Sequence, residues 1–284
     1  MIARQHSTDD TAAAPPEAAV WLKRLLVHMA SLAERDIERV PDYPDTSIHA
    51  LRKRMKKVLA LLRLARPAMT GDQFSNLKAA IRQLKRLVAT QRDQQVMAQL
   101  EHDLQLTDRR QQQQSSRSRP RKTVRALSIS EGTCEQLTLQ ASSLTDRLGR
   151  LRLFSLSWES VAEAYVKTYR RGHKACKRSE ENPTMESLHE WRKSVKDHYY
   201  QTLALYVWLG HPRRLRRTRR LSSLLGRAHD LDVYTKAREI DEPTQELLEE
   251  KRGKLLNKIF KKGARVYAKS SDHMAEVVKK NLPE

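Results

Sequence analysis

Cysteine is almost missing from this chain, and glycine is scarce: two and eight residues respectively in 284. Cys134 and Cys176 stand far apart with no Cys-x-x-Cys pair. That excludes a disulfide framework and a zinc site and fits two reduced thiols. Eight glycines leave little material for tight β-turns. Phenylalanine occurs three times and aromatic residues make up 5%. No stretch approaches eighteen consecutive apolar residues, which excludes a membrane-spanning helix. The alanine- and proline-rich run from Ala12 to Pro16 lacks the continuous apolar core of a secretion signal, so a soluble, cytoplasmic protein is expected. Also missing are the Walker GxxxxGK[ST], HExxH, Gly-x-Ser-x-Gly and Rossmann signatures. The expectation is therefore no enzyme, no cofactor and no metal site.

Acidic residues are the other shortage. Lys and Arg number 55 against 34 Asp and Glu, a formal net charge of +21 with a pI near 10.2. Such an excess predicts a polyanionic partner: nucleic acid, an anionic membrane surface or polyphosphate. Hydrophobic residues, at 39%, suffice for a core if they are gathered on one face of amphipathic helices.

Helical apolar periodicity dominates, and the fold class expected is all-α. Helices are predicted over 17–40, 46–66, 72–107 and 124–151, then over 156–178, 184–210, 212–240 and 243–279. Thr46, Thr184 and Ser187 suit helix starts, Pro212 and Pro243 suit first-turn positions, and Pro41, Pro44 and Pro67 fall where turns are needed.

Two of these helices carry one pattern: a histidine, then Arg-Lys, then a further Lys. His49, Arg52, Lys53 and Lys56 match His189, Arg192, Lys193 and Lys196 at a single offset. At roughly 100° per residue, each set clusters on one side of its helix. Leu51, Met55, Val58, Leu62 and Ala65 form a separate apolar stripe on the first helix, and Trp191, Val195 and Thr202 do so on the second. Charge runs are usually solvated faces, but those faces mix Glu with Lys, and 52–66 contains no acidic residue. Like charges at helical spacing destabilise an isolated helix, so their recurrence predicts a binding face for an anion. The two histidines fit a structural hydrogen-bonding role as well as they fit ligand contact.

Further cations extend these faces. Arg63 falls on the same side as His49, and Arg82, Lys85 and Arg86 lie on the next helix. Arg171 and Lys174 share a side of the fifth predicted helix. Of the arginines that open the seventh, Arg219 aligns with Arg82. Leu84, Leu87, Asp93 and Val96 likewise align with Leu221, Leu224, Asp230 and Val233, at an offset three residues shorter than that of the histidine motif. An internal duplication of a four-helix unit accounts for both alignments, with repeats over about 17–151 and 156–280. Residues 1–16 read as a disordered tail, and the polar, basic stretch 109–122 as a mobile loop.

The duplicated His-x-x-Arg-Lys-x-x-Lys segments, each followed by a leucine-rich basic helix ending in Asp-x-x-Val, resemble the CHAD family, the conserved histidine α-helical domain. The resemblance runs from about Glu17 to the C-terminus as a single domain. It implies two four-helix bundles related by a pseudo-twofold axis with a basic cavity between them. It also implies binding of inorganic polyphosphate, with association to polyphosphate granules and their proteins. The residues implied or inferred as polyphosphate-binding are His49, Arg52, Lys53, Lys56, Arg63, Arg82, Arg171, Lys174, His189, Arg192, Lys193, Lys196 and Arg219. The chain departs from the pattern where Ala89 and Gln94 stand opposite Gly226 and Leu231, and where Asp197 takes the place of a basic residue after Lys196.

Polyphosphate suits such a surface. It carries about one negative charge per interior phosphate and releases counterions when neutralised. Arg forks grip paired phosphate oxygens, and Lys acts as a mobile point charge. The rival expectation is binding to an RNA or DNA backbone, which needs the same charge but usually adds stacking aromatics. Trp21, Trp158, Trp191 and Trp208 fall on apolar stripes, which predicts core packing for them instead. A scaffold for acidic proteins is a third reading, compatible with the first.

Overall fold

The computed structural model describes residues 16–89, 129–237 and 240–283. Among these residues every regular element is helical: α1 (Ala18–Glu38), α2 (Pro44–Ala65), a 3-10 turn (Arg66–Ala68), α3 (Gly71–Leu87), α4 (Glu131–Gly149), α5 (Trp158–Glu181), α6 (Met185–Ala204), α7 (Tyr206–Leu209), α8 (Pro212–Ala237), α9 (Glu242–Val266) and α10 (Ser271–Asn281). The second half of the third predicted helix, Asp93 and Val96 with it, lies outside the described residues, as does the expected loop 109–122. So do residues 1–15 of the expected tail, whereas the carbonyl of Pro16 accepts a hydrogen bond from Trp158 Nε1 at 3.2 Å.

The starts are set by local chemistry. Thr70 and Gln73 form a reciprocal capping box on α3. The hydroxyls of Ser157, Thr184 and Ser270 accept the amide protons of Ser160, Ser187 and His273, satisfying N–H groups that a helix start leaves open. Three ends differ from expectation. The helix predicted over 72–107 stops at Leu87, with Val88 as its C-cap. The helix predicted over 184–210 stops at Ala204, where Leu205 turns inward fully buried; after the single turn α7, Gly210 closes the segment at φ 56°, a conformation that favours glycine. The helix predicted over 243–279 is broken at Tyr267. Its ring is buried, the following Lys269 carbonyl accepts Tyr169 Oη at 2.7 Å, and Ser270 caps a new helix. Tertiary burial of one tyrosine overrides a helical periodicity that continues through the break.

Within the first repeat, α1 packs on α2 and α4, and α3 packs on α2 and α4. Within the second, α5 packs on α6, α6 on α8 and α8 on α9, with α10 laid against α5. The seam between the repeats is made by α2 against α6 and α5, so the two helices that carry the histidine motif touch each other. Leu51, Met55, Val58, Leu62 and Ala65 are essentially fully buried, as the apolar stripe of α2 predicts. Across α6, Trp191, Val195 and Thr202 are buried too. Trp21, Trp158 and Trp208 pack on one another with centroids 4.5–5.1 Å apart, tying α1, α5 and α7 together.

Trp191 lies parallel to Phe260 of α9 and fills the space over Gly263. A Cβ at Gly263 would stand 2.7 Å from two ring carbons of Trp191 and 3.0 Å from Cys176 Sγ. Gly253, on the exposed side of the same helix, has nothing within 4 Å. Gly263→Ala is therefore expected to lower stability by about 1–3 kcal/mol through overpacking. Gly253→Ala should raise it by up to about 1 kcal/mol through helix propensity. Urea denaturation midpoints of the two variants would separate these effects, because both make the same chemical change in the same helix.

Candidate functional site

The basic residues of α2 do more than project into solvent. Arg52 Nη1 donates to the carbonyls of Lys85 at 3.4 Å and Val88 at 3.3 Å, the open acceptors at the C-terminal end of α3. A guanidinium there also complements the negative end of the helix dipole. Its counterpart Arg192 on α6 lies along α8: a Cβ on Gly226 would sit 3.7 Å from Arg192 Nη2. Val88 with Ala89, and Leu225 with Gly226, are aligned positions of the two repeats. Each motif arginine thus meets the equivalent stretch of the following basic helix.

Lys56 sits at the centre of the site. Burial, followed by the fields of Lys196, Arg192, Arg52 and Lys85, pushes its ammonium down to about 6 from its ordinary 10.5. Among the described residues the charges acting on it are positive, and they come from α2, α3 and α6. Lys85 is held low by burial and by Arg52, Arg82, Arg63 and Lys193. Lys78 is lowered by burial, Arg82, Arg63 and Lys193. Cations from both repeats therefore occupy one electrostatic neighbourhood across the seam. Lys78, Arg82 and Lys85 form a stripe on α3 at spacings of four and three, a pattern visible in the sequence beyond the single residue Arg82 assigned from it.

A buried carboxylate enters this region. Asp197 of α6 is buried, and its oxygens accept Arg63 Nη1 of α2 at 3.0 Å and Arg171 Nη2 of α5. Arg171 Nε also donates to Ser194 Oγ at 3.1 Å. Burial pushes the Asp197 carboxyl up, and the two arginines oppose that push. One turn further along α6, fully buried Gln201 donates Nε2 to the carbonyl of Ala60 at 2.9 Å. These bonds hold α2, α5 and α6 in register. Arg63 and Arg171, predicted as ligand contacts, are thus already engaged by a protein anion.

The two motif histidines sit differently. His49 is exposed near the start of α2. His189 is half-buried, with its ring 4.8 Å from that of His229 on α8. Burial and the fields of Lys193, His229 and Arg192 hold it near 4, so it is neutral at physiological pH. Of the motif lysines, Lys193 is exposed and pairs with Glu190 at 2.6 Å. Lys53 is exposed, and its field, with that of Arg54, acts on Lys57. Lys174 and Arg219 are exposed, and no contact among the described residues joins them to the cluster. The structure thus gathers Arg52, Lys56, Arg82, Arg192, Lys193 and Lys196, adds Lys78 and Lys85, and leaves Lys53, Lys174 and Arg219 apart.

Among the described residues no group of three His, Cys, Asp or Glu side chains is placed to hold a metal ion, and no helix is long and apolar enough to cross a membrane. The depressed Lys56 makes a stability prediction whose sign is fixed. Between pH about 6 and 10.5 the folded state holds fewer protons at Lys56 than the unfolded chain does, so stability climbs with pH through that window. Lys56→Met removes the penalty. It should stabilise the protein by about 1–3 kcal/mol near pH 6, with the advantage shrinking toward pH 10. Denaturation of both proteins across that range would check it; an advantage independent of pH would show that Lys56 is not under charge pressure.

No curated protein and no solved structure matches the chain. Residues 21–239, well over half of it, match the family described as CHAD domain. With the paired histidine motifs meeting at the α2–α6 seam, this chain belongs to the CHAD domain family.

Proposed function

We propose that this protein binds long-chain inorganic polyphosphate, without hydrolysing it, in a basic cavity between two four-helix bundles related by an approximate twofold axis. The observation that carries the reading is the crowding of Lys56: a lysine desolvated by burial and pressed down further by four other cations, with no carboxylate of the described residues among the charges acting on it. Such an arrangement costs stability in the free protein. It is relieved when a linear anion threads between Arg52, Lys56, Lys85, Arg192 and Lys196, since phosphate oxygens then replace repulsion by charge-assisted hydrogen bonds. The cations lie on both sides of the α2–α6 seam, which suits an elongated ligand better than a single phosphate. Binding of this kind would take the protein to polyphosphate granules, where granule proteins are its partners, in a cytoplasmic setting.

Nucleic acid is the rival ligand. The tryptophans do not favour it: three pack on one another and the fourth lies under Phe260, so none offers a base-stacking platform beside the cluster.

Charge reversal of Arg52, Lys56, Arg192 and Lys196 together should cost several kcal/mol of polyphosphate affinity, at about 1.5–3 kcal/mol per charged hydrogen bond. It should also flatten the salt dependence. Reversal of Arg110, Arg117, Arg119 and Arg121, which lie outside the described residues, should cost much less. Equal losses would mean diffuse attraction with no defined site. Tighter binding of tRNA than of polyphosphate at matched salt would favour the rival.

A further inference from the structure

Asp197 is out of place in a face built to hold anions. It follows Lys196, whose field acts on Lys56, and in the repeat it aligns with another cation, Lys57. Yet its carboxylate is buried and spans two guanidinium groups contributed by different helices, Arg63 of α2 and Arg171 of α5. A small oxyanion bridging two arginine forks is the contact a phosphate unit would make there. The arginines it occupies adjoin the cationic field: Arg63 acts on both Lys78 and Lys85. Neither is sealed in the core, since the Arg63 side chain keeps 22% and that of Arg171 44% of its surface exposed, against 10% for Asp197.

Resting on the polyphosphate reading, we propose that Asp197 is an internal substitute for a phosphate: it occupies the Arg63–Arg171 pair and sets where the bound polyanion ends. The carboxylate is tethered by its own side chain beside the pair, so an incoming phosphate must displace it, and it cannot diffuse away. A chain lying along Arg52, Lys56 and Lys85 therefore stops short of Arg63. The two arginines contribute to holding α2 against α5 and α6 instead of to ligand affinity. In the first repeat Lys57 has no such role, and it lies among Lys53, Arg54 and Asp36. The site is thus lopsided: one end is closed by the protein's own charge.

The test uses the full-length protein, a polyphosphate of defined chain length and a titration across a salt series. Asp197→Asn removes the competing charge while keeping the shape. It should bind polyphosphate roughly tenfold more tightly, and its salt slope should steepen by about 0.7–1.8, the release expected from one or two added phosphate contacts. Adding Arg63→Gln to D197N should cancel most of that gain, while Arg63→Gln alone costs far less affinity than Arg52→Gln. A D197N protein that stays folded with an unchanged or flatter salt slope overturns the proposal. Should D197N fail to fold, the single variants decide: losses for R63Q and R171Q as large as for R52Q overturn it, and clearly smaller losses support it. If the wild type binds no polyphosphate at any salt, the reading beneath the proposal fails and the proposal with it. If the wild type binds and only the D197N result fails, the reading stands.

Discussion

Like charges packed side by side push helices apart, and the α2–α6 seam places several of them together. What holds the seam is a small set of polar bonds at its edge. Asp197 bridges Arg63 and Arg171, and Gln201 reaches the Ala60 carbonyl in a fully buried position. A buried carboxylate is costly alone and tolerable only when its partners are well placed, so the geometry of α2, α5 and α6 is tightly specified there. Immediately beyond that edge Lys56 is desolvated by burial and acted on by Lys196, Arg192, Arg52 and Lys85, and its proton affinity falls accordingly.

The apolar core makes this arrangement affordable. Each motif helix buries one stripe and turns its basic stripe away, so hydrophobic burial supplies the stability that charge crowding removes. The second repeat adds a dense aromatic interior: Tyr165 and Tyr169 flank the fully buried His198, which burial holds near 3 and hence neutral. Trp191 is locked between Phe260 and the backbone of Gly263. These contacts make α6 the rigid wall from which Arg192, Lys193 and Lys196 project.

The repeats have kept one contact and diverged in others. Arg52 and Arg192 each meet the equivalent part of the following helix, one donating to its terminal carbonyls and the other lying beside its glycine. Around them the halves differ. His49 is exposed and His189 is packed on His229; the field of Lys53 acts on Lys57 of its own helix, and that of Lys193 acts across the seam on α3. Divergence of this sort makes the two sides of the seam chemically unequal.

Periodicity alone carried the all-helical class, the positions of most helices and the apolar stripes of α2 and α6, because burial of one helical face leaves a direct trace in the spacing of residues. The paired histidine motifs also marked the two helices that meet. Spacing carries no information on which neighbour a charged face will encounter. Arg63 and Arg171 read as ligand contacts, since nothing local shows that Asp197, distant from Arg63 in the chain, closes on both. Lys85 was legible only as one more cation, and its place beside Arg52 and Lys193 depends on three helices converging. The break at Tyr267 follows from the burial of its ring, which the continuing periodicity of 243–279 conceals. The sequence by itself determined which residues are cationic and which side of each helix they share. Only the tertiary structure decided that Asp197 meets Arg63 and Arg171 and that cations of three helices crowd Lys56, because that depends on Coulomb interactions between groups that packing alone brings within reach.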